Sequence, residues 1–156
     1  MSLCRRIQGA CRSAARLAGL AQTPLLTAIR LYWGWQFAVT GLGKLHSLDR
    51  VTEFFGSLHL PMPGFTAAFV ASVEFLGGVL LALGLGTRLV ALILLVNMSV
   101  AFWVADREAL FAVFSAPEKF YGADAFLFWA AALLLLIFGP GAWSMDRWLG
   151  VERLTD

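Results

Sequence analysis

Hydrophobic residues along this chain fall in long unbroken runs, without the two-residue alternation of a half-buried strand. Four runs approach the roughly 20 mostly apolar residues that carry a helix across a bilayer. They cover Leu25 to Leu45, Gly64 to Leu85, Arg88 to Ala105 and Asp124 to Trp143. The second run carries one charge, Glu74; the third has none from Leu89 onward; the fourth has none from Ala125 onward. A membrane barrel is excluded, because it needs alternating strands and four such segments could not close one. The pattern predicts an all-α fold: an antiparallel bundle of four transmembrane helices with short interfacial helices.

The connections between runs carry turn chemistry. Pro61 and Pro63 precede Gly64, which suits a helix start after an extended turn. Gly84-Leu85-Gly86-Thr87-Arg88 is short enough to make runs two and three an antiparallel hairpin. Gly139-Pro140-Gly141 should end the regular part of run four. Between Asp106 and Tyr121, Phe111, Phe114, Phe120 and Tyr121 alternate with charges, as in a short helix lying in the headgroup zone or a lid over the bundle mouth. Trp103, Trp143 and Trp148 fall near the predicted interfaces, where indoles are enriched. Three segments result: a basic amphipathic stretch over 1–24, a membrane domain over 25–149, and a tail over 150–156. In the first, Leu3, Ile7, Ala10, Ala14 and Leu17 recur at helical spacing and no acidic residue appears before Asp49. That reads as a cationic helix on anionic lipid. A secretory signal fits less well, since no long apolar stretch lies before Leu25.

Composition agrees with a membrane protein. Of 156 residues, 60% are hydrophobic and 14% charged, with mean hydropathy +0.77; a soluble domain is about a quarter charged. The net charge of +2 gives no support to nucleic-acid binding, and two cysteines make no disulfide scaffold. Arg5, Arg6, Arg12, Arg16, Arg30, Arg88, Arg147 and Arg153 fall on one side of the predicted bundle, and Lys44, Arg50, Arg107 and Lys119 on the other. That asymmetry places both termini in the cytoplasm.

Polar residues at depth carry the candidate chemistry. An ionisable group near the bilayer centre costs at least about 2.5–3.5 kcal/mol, so it faces the bundle interior and finds a partner. Glu74 lies about 15 Å into its helix, near the midplane. Asn97 and Gln36 reach similar depth, and Arg30 lies two turns nearer the cytoplasm with a side chain able to offer a bidentate partner. Arg30, Gln36, Glu74 and Asn97 therefore form a predicted buried cluster, either a ligand site or a network that fixes helix packing. Lys44 and Asp124 fall at the outer boundary and are expected to pair there. His46, Asp49 and Glu53 could share a helical face, but a solvated loop explains them better than a metal, and no metal site is expected.

These residues resemble the DoxX family of small four-helix membrane proteins. The resemblance rests on Arg30 followed by Gly41-Leu42-Gly43-Lys44-Leu45, on Glu74-Phe75-Leu76-Gly77-Gly78 with Leu80, Leu81, Gly84 and Arg88, and on Gly139-Pro140-Gly141 with Ser144 and Asp146. It covers about Leu25 to Leu149. It implies a bundle in the bacterial inner membrane and an association with sulfur, thiol or quinone redox chemistry. Cys4 and Cys11 lack the Cys-x-x-Cys spacing of a dithiol relay, and no histidine falls within a span to hold haem. A redox role therefore implies a bound quinone or a partner enzyme that carries the cofactor. Catalysis by this chain itself stays open. The alternative is a scaffold that recruits a partner; a transporter fits less well with four spans and no repeat. A homo-oligomer is compatible with either.

Overall fold

The computed structural model describes the backbone of residues 2–150 and the side chains of residues 19–150. The readings placed on the side chains of the basic segment, including Cys4 and Cys11, lie outside the described residues. No strand occurs among them. The helices are α1 (Ser2–His46), α2 (Leu48–Ser57), α3 (Pro63–Leu83), α4 (Thr87–Val104), α5 (Arg107–Phe111), α6 (Pro117–Tyr121), α7 (Asp124–Phe138) and α8 (Met145–Trp148). α1 continues through residue 24 without a break, with Pro24 inside it.

Two tight helix pairs make the body: α1 against α3, and α4 against α7; α3–α4 and α1–α7 contacts close the ring. Small residues set the first pair. A Cβ on Gly34 would lie 2.6 Å from the Ala82 backbone nitrogen, Gly41 is pressed against the backbone of Phe75, and Gly78 against that of Ala38. These three contacts define one antiparallel register, and they leave no room for side chains at the crossing. Phe37, Leu81, Leu94 and Leu135 are fully buried at the centre, and the Phe37 and Phe128 rings meet edge-on at 4.8 Å across α1 and α7.

The outward faces are also apolar: Leu31, Trp35, Phe69, Leu76, Leu89, Ile93, Val96 and Ile137 are all exposed. A helix apolar all round belongs in a core or a membrane. α3 and α4 are long and apolar enough to cross a bilayer; α7 is apolar but shorter. The helix of run four ends at Phe138, at the Gly139-Pro140-Gly141 turn that the sequence marks, and the rest of the run to Trp143 is not helical: Gly139 at φ 76° and Gly141 at φ 78° turn the chain back under the bundle.

The two ends differ. One, the hairpin end, carries Gly84–Thr87 and the segment after α7. Gly84 and Gly86 both take left-handed backbone there, at φ 72° and 59°, which is why the turn between α3 and α4 can be so short. The other, the loop end, carries α2, α5 and α6. α6 is pinned to the body by Phe120, which stacks on Phe102 at 5.4 Å and meets Phe126 at 5.1 Å.

Candidate functional site

The α1–α3 register decides which charges meet. With Gly41 against Phe75, the last turns of α1 lie beside the middle of α3. Lys44 then reaches Glu74: its Nζ donates to Oε1 at 2.6 Å and to Oε2 at 2.7 Å. From α4, the Asn97 amide donates to Oε1 at 3.2 Å. Three helices thus deliver an ammonium, a carboxylate and a carboxamide to one point. Glu74 is 2% exposed and the Lys44 side chain 36%, so the cluster is deep on the carboxylate side and open on the lysine side. An ammonium has three donors. Two point at Glu74, which leaves one donor at the open side.

The structure unites Glu74 and Asn97 as the sequence predicted, but supplies a different cation. Arg30 does not approach Glu74. It precedes Gly41 by eleven residues, about 16 Å along the helix, and the same register sets it against Gly84 at the hairpin end. Gln36 is half-buried on α1 and makes no side-chain bond to the cluster. The expected Lys44–Asp124 pair is also corrected. Lys44 turns inward to Glu74, and Asp124 is exposed at the start of α7. Helical depth was readable from residue counts, but rotation about each axis was not. No cluster of three or more metal-ligating side chains occurs among the described residues.

Arg30 belongs to a second buried cluster that sequence reasoning did not assemble. Its Nη2 donates to the Trp143 carbonyl at 2.8 Å and its Nη1 to the Pro140 carbonyl at 3.4 Å. Asp146, 4% exposed, accepts from the Gly86 and Thr87 backbone N–H groups at 2.6 and 2.8 Å. Those are first donors of α4, so this carboxylate caps the helix from a distant part of the chain. Asp146 N–H in turn donates to the Gly84 carbonyl at 2.9 Å. The available signal was Ser144 and Asp146 directly after a Gly-Pro-Gly turn: a chain folding back under a bundle end meets helix termini that need partners.

Residues 25–107, just over half of the chain, match the DoxX family. The chain belongs to that family. Among the relatives of this DoxX protein, an uncharacterized membrane protein of Mycobacterium tuberculosis, Rv3486, is 34% identical over 152 residues, covering 90% of each chain. The inner membrane protein YphA of Escherichia coli is 29% identical over 141 residues, 83% of this chain and 93% of YphA. CatD of Bacillus subtilis, provisionally named an oxidoreductase, is 35% identical over 83 residues, and the alignment spans 53% of this chain and 60% of CatD. No solved structure matches this DoxX protein. The matched region contains Arg30, Lys44, Glu74 and Asn97, whereas Asp146 lies beyond it.

Proposed function

We propose that this DoxX protein crosses the bacterial inner membrane four times, through α1, α3, α4 and α7, and serves a redox system there. Both termini then lie in the cytoplasm, with the hairpin end inside and α2, α5 and α6 outside. The excess of arginine flanking the hairpin end supports that orientation. The oxidoreductase name of CatD and the membrane names of the other relatives support the general assignment.

The observation that carries the functional reading is the Lys44–Glu74–Asn97 cluster. It is the only ion pair within 4.0 Å among the described residues, and one of its members opens outward. It fits the headgroup of a quinone-like ligand. The remaining Lys44 donor suits a ring carbonyl, and the Asn97 carbonyl oxygen is left to accept from a hydroxyl. A quinone supplies two-electron, two-proton redox chemistry when bound. Lys44 would orient the headgroup, Glu74 would hold or pass a proton, and the surrounding helices would keep bulk water out. The electrons would come from a partner enzyme.

Gentle extraction followed by native mass spectrometry tests this reading together with a Glu74→Gln variant. Wild type should retain a quinone and E74Q should lose it while staying folded. If wild type retains none and E74Q supports full function in cells, the cluster is a packing device and the protein is better read as a scaffold.

A further inference from the structure

The chemistry at the end of α4 is separate from the Glu74 cluster and points to a different ligand. α4 ends at Val104, and α5 begins with Arg107. The Arg107 guanidinium lies over the Trp103 ring at 5.1 Å and the Phe111 ring at 5.7 Å. The two rings themselves meet edge-on at 6.0 Å, so the guanidinium sits against a corner of aromatic surface and makes no hydrogen bond to the described residues that would occupy its N–H groups. Glu108 follows it, and neither residue has an ion-pair partner among the described residues. Arg107, Glu108, Phe111, Ala112 and Ser115 line a wide-mouthed cleft of about 450 Å³, within the roughly 300–1,000 Å³ of small-molecule sites. Next to it, Phe114 is 97% exposed. An apolar spanning helix that ends in exposed Trp and Phe side chains marks the headgroup level of a bilayer.

We infer that this cleft binds the headgroup of a phosphatidylethanolamine-type lipid, with Arg107 taking the phosphate and Glu108 the primary ammonium. The charges select the headgroup. A guanidinium matches a phosphate in a bidentate fork. A carboxylate beside it repels an anionic headgroup but accepts hydrogen bonds from a primary ammonium, which a choline headgroup cannot give. The Ser115 hydroxyl adds a donor to the phosphate side, while Phe111 and Phe114 offer apolar surface to the upper acyl chains.

The test uses the full chain in mild detergent, exposed to an equimolar mixture of ethanolamine, choline and glycerol phospholipids with identical acyl chains, and read by native mass spectrometry. The ethanolamine lipid should load about fivefold above the other two, the effect of one ordinary hydrogen bond. R107A should lower its loading by a similar factor and R107K by less, because lysine keeps the charge and loses the fork. E108Q should leave phosphate binding intact and bring the ethanolamine and choline lipids to equal loading. Lys119→Gln, a nearby cation outside the cleft, should change nothing. Preferential loading of the glycerol lipid by wild type would overturn the proposal, since it would mark a general basic surface. So would equal loading in wild type and E108Q, or displacement of the lipid by free phosphoethanolamine at matched concentration. Variants are compared only when they elute as the wild type does, and R107K and E108Q are the milder pair if R107A fails to fold.

Discussion

The two buried charge clusters of this DoxX protein are built on opposite plans. At the hairpin end, the partners of Arg30 and Asp146 are backbone: two carbonyls accept from the guanidinium, whose buried Nε has no partner among the described residues, and two helix N–H groups donate to the carboxylate. Midway along α3, Glu74 is satisfied by side chains on other helices, Lys44 and Asn97. Backbone partners are fixed by the fold, and both charged residues there are nearly fully buried. Such a cluster holds the chain in place. Side-chain partners can rotate, and Lys44 already borders the surroundings. A cluster of that kind can trade a protein partner for a ligand. Burial of charge alone does not mark a functional site; the nature of its partners separates the two.

Removing Lys44 should break this contrast most severely. Lys44→Met leaves the Glu74 carboxylate buried without a cation. For a fully buried pair the loss is about 3–5 kcal/mol; with Lys44 partly open, roughly 3 kcal/mol is expected here. Thermal unfolding in detergent would show it as a large drop in midpoint. The double variant Lys44→Met/Glu74→Gln removes both charges and should recover much of the loss. No recovery would mean that the pair contributes packing rather than charge balance.

The hairpin end should respond in stability alone. Asp146→Asn keeps the shape of the side chain but weakens the cap on α4 and takes the counter-charge from the Arg30 region. Hydrogen bonds to a charged group contribute about 1.5–3 kcal/mol, so a loss of about 2 kcal/mol is expected. Retained quinone should be the same as in wild type. If D146N lost ligand as thoroughly as E74Q, the two clusters would be coupled and the division between them would fail.

Much of this was legible in the sequence. Continuous apolar runs gave the long helices, and Gly-Leu-Gly gave the hairpin between α3 and α4. Glu74 and Asn97 met because depth along a helix follows from counting residues at about 1.5 Å each. What failed was azimuth and register. Glycines at 34, 41 and 78 mark helices that can approach closely, yet only the structure shows that they pair with Ala82, Phe75 and Ala38. That pairing sends Lys44, rather than Arg30, to the carboxylate. Asp146 was harder still, because its partners are backbone N–H groups some 60 positions away, and backbone donors leave no mark on side-chain chemistry. The end of α7 was readable from Gly139-Pro140-Gly141, but not the fold-back that carries Asp146 beneath α4.

Asn97 gives the smallest and sharpest test. Its amide reaches Glu74 at 3.2 Å, longer than either lysine contact, and Lys44 already engages both carboxylate oxygens. Interhelical hydrogen bonds in membranes average about 0.6 kcal/mol and reach about 1.7, so Asn97→Ala should cost no more than about 1 kcal/mol. Its effect on ligand should be out of proportion to that. If the Asn97 carbonyl accepts a hydroxyl from the reduced headgroup, N97A weakens retention of the quinol and leaves the quinone nearly unchanged, because only the quinol has a proton to give. Asn97→Asp, which keeps an acceptor at the same place, should restore quinol retention only if the added charge does not displace Lys44 from Glu74. Comparing retained quinone and quinol by mass spectrometry in N97A decides the matter: equal loss of both forms would reduce Asn97 to a strut between α3 and α4, and the mid-bundle cluster would come to look more like the one at the hairpin end.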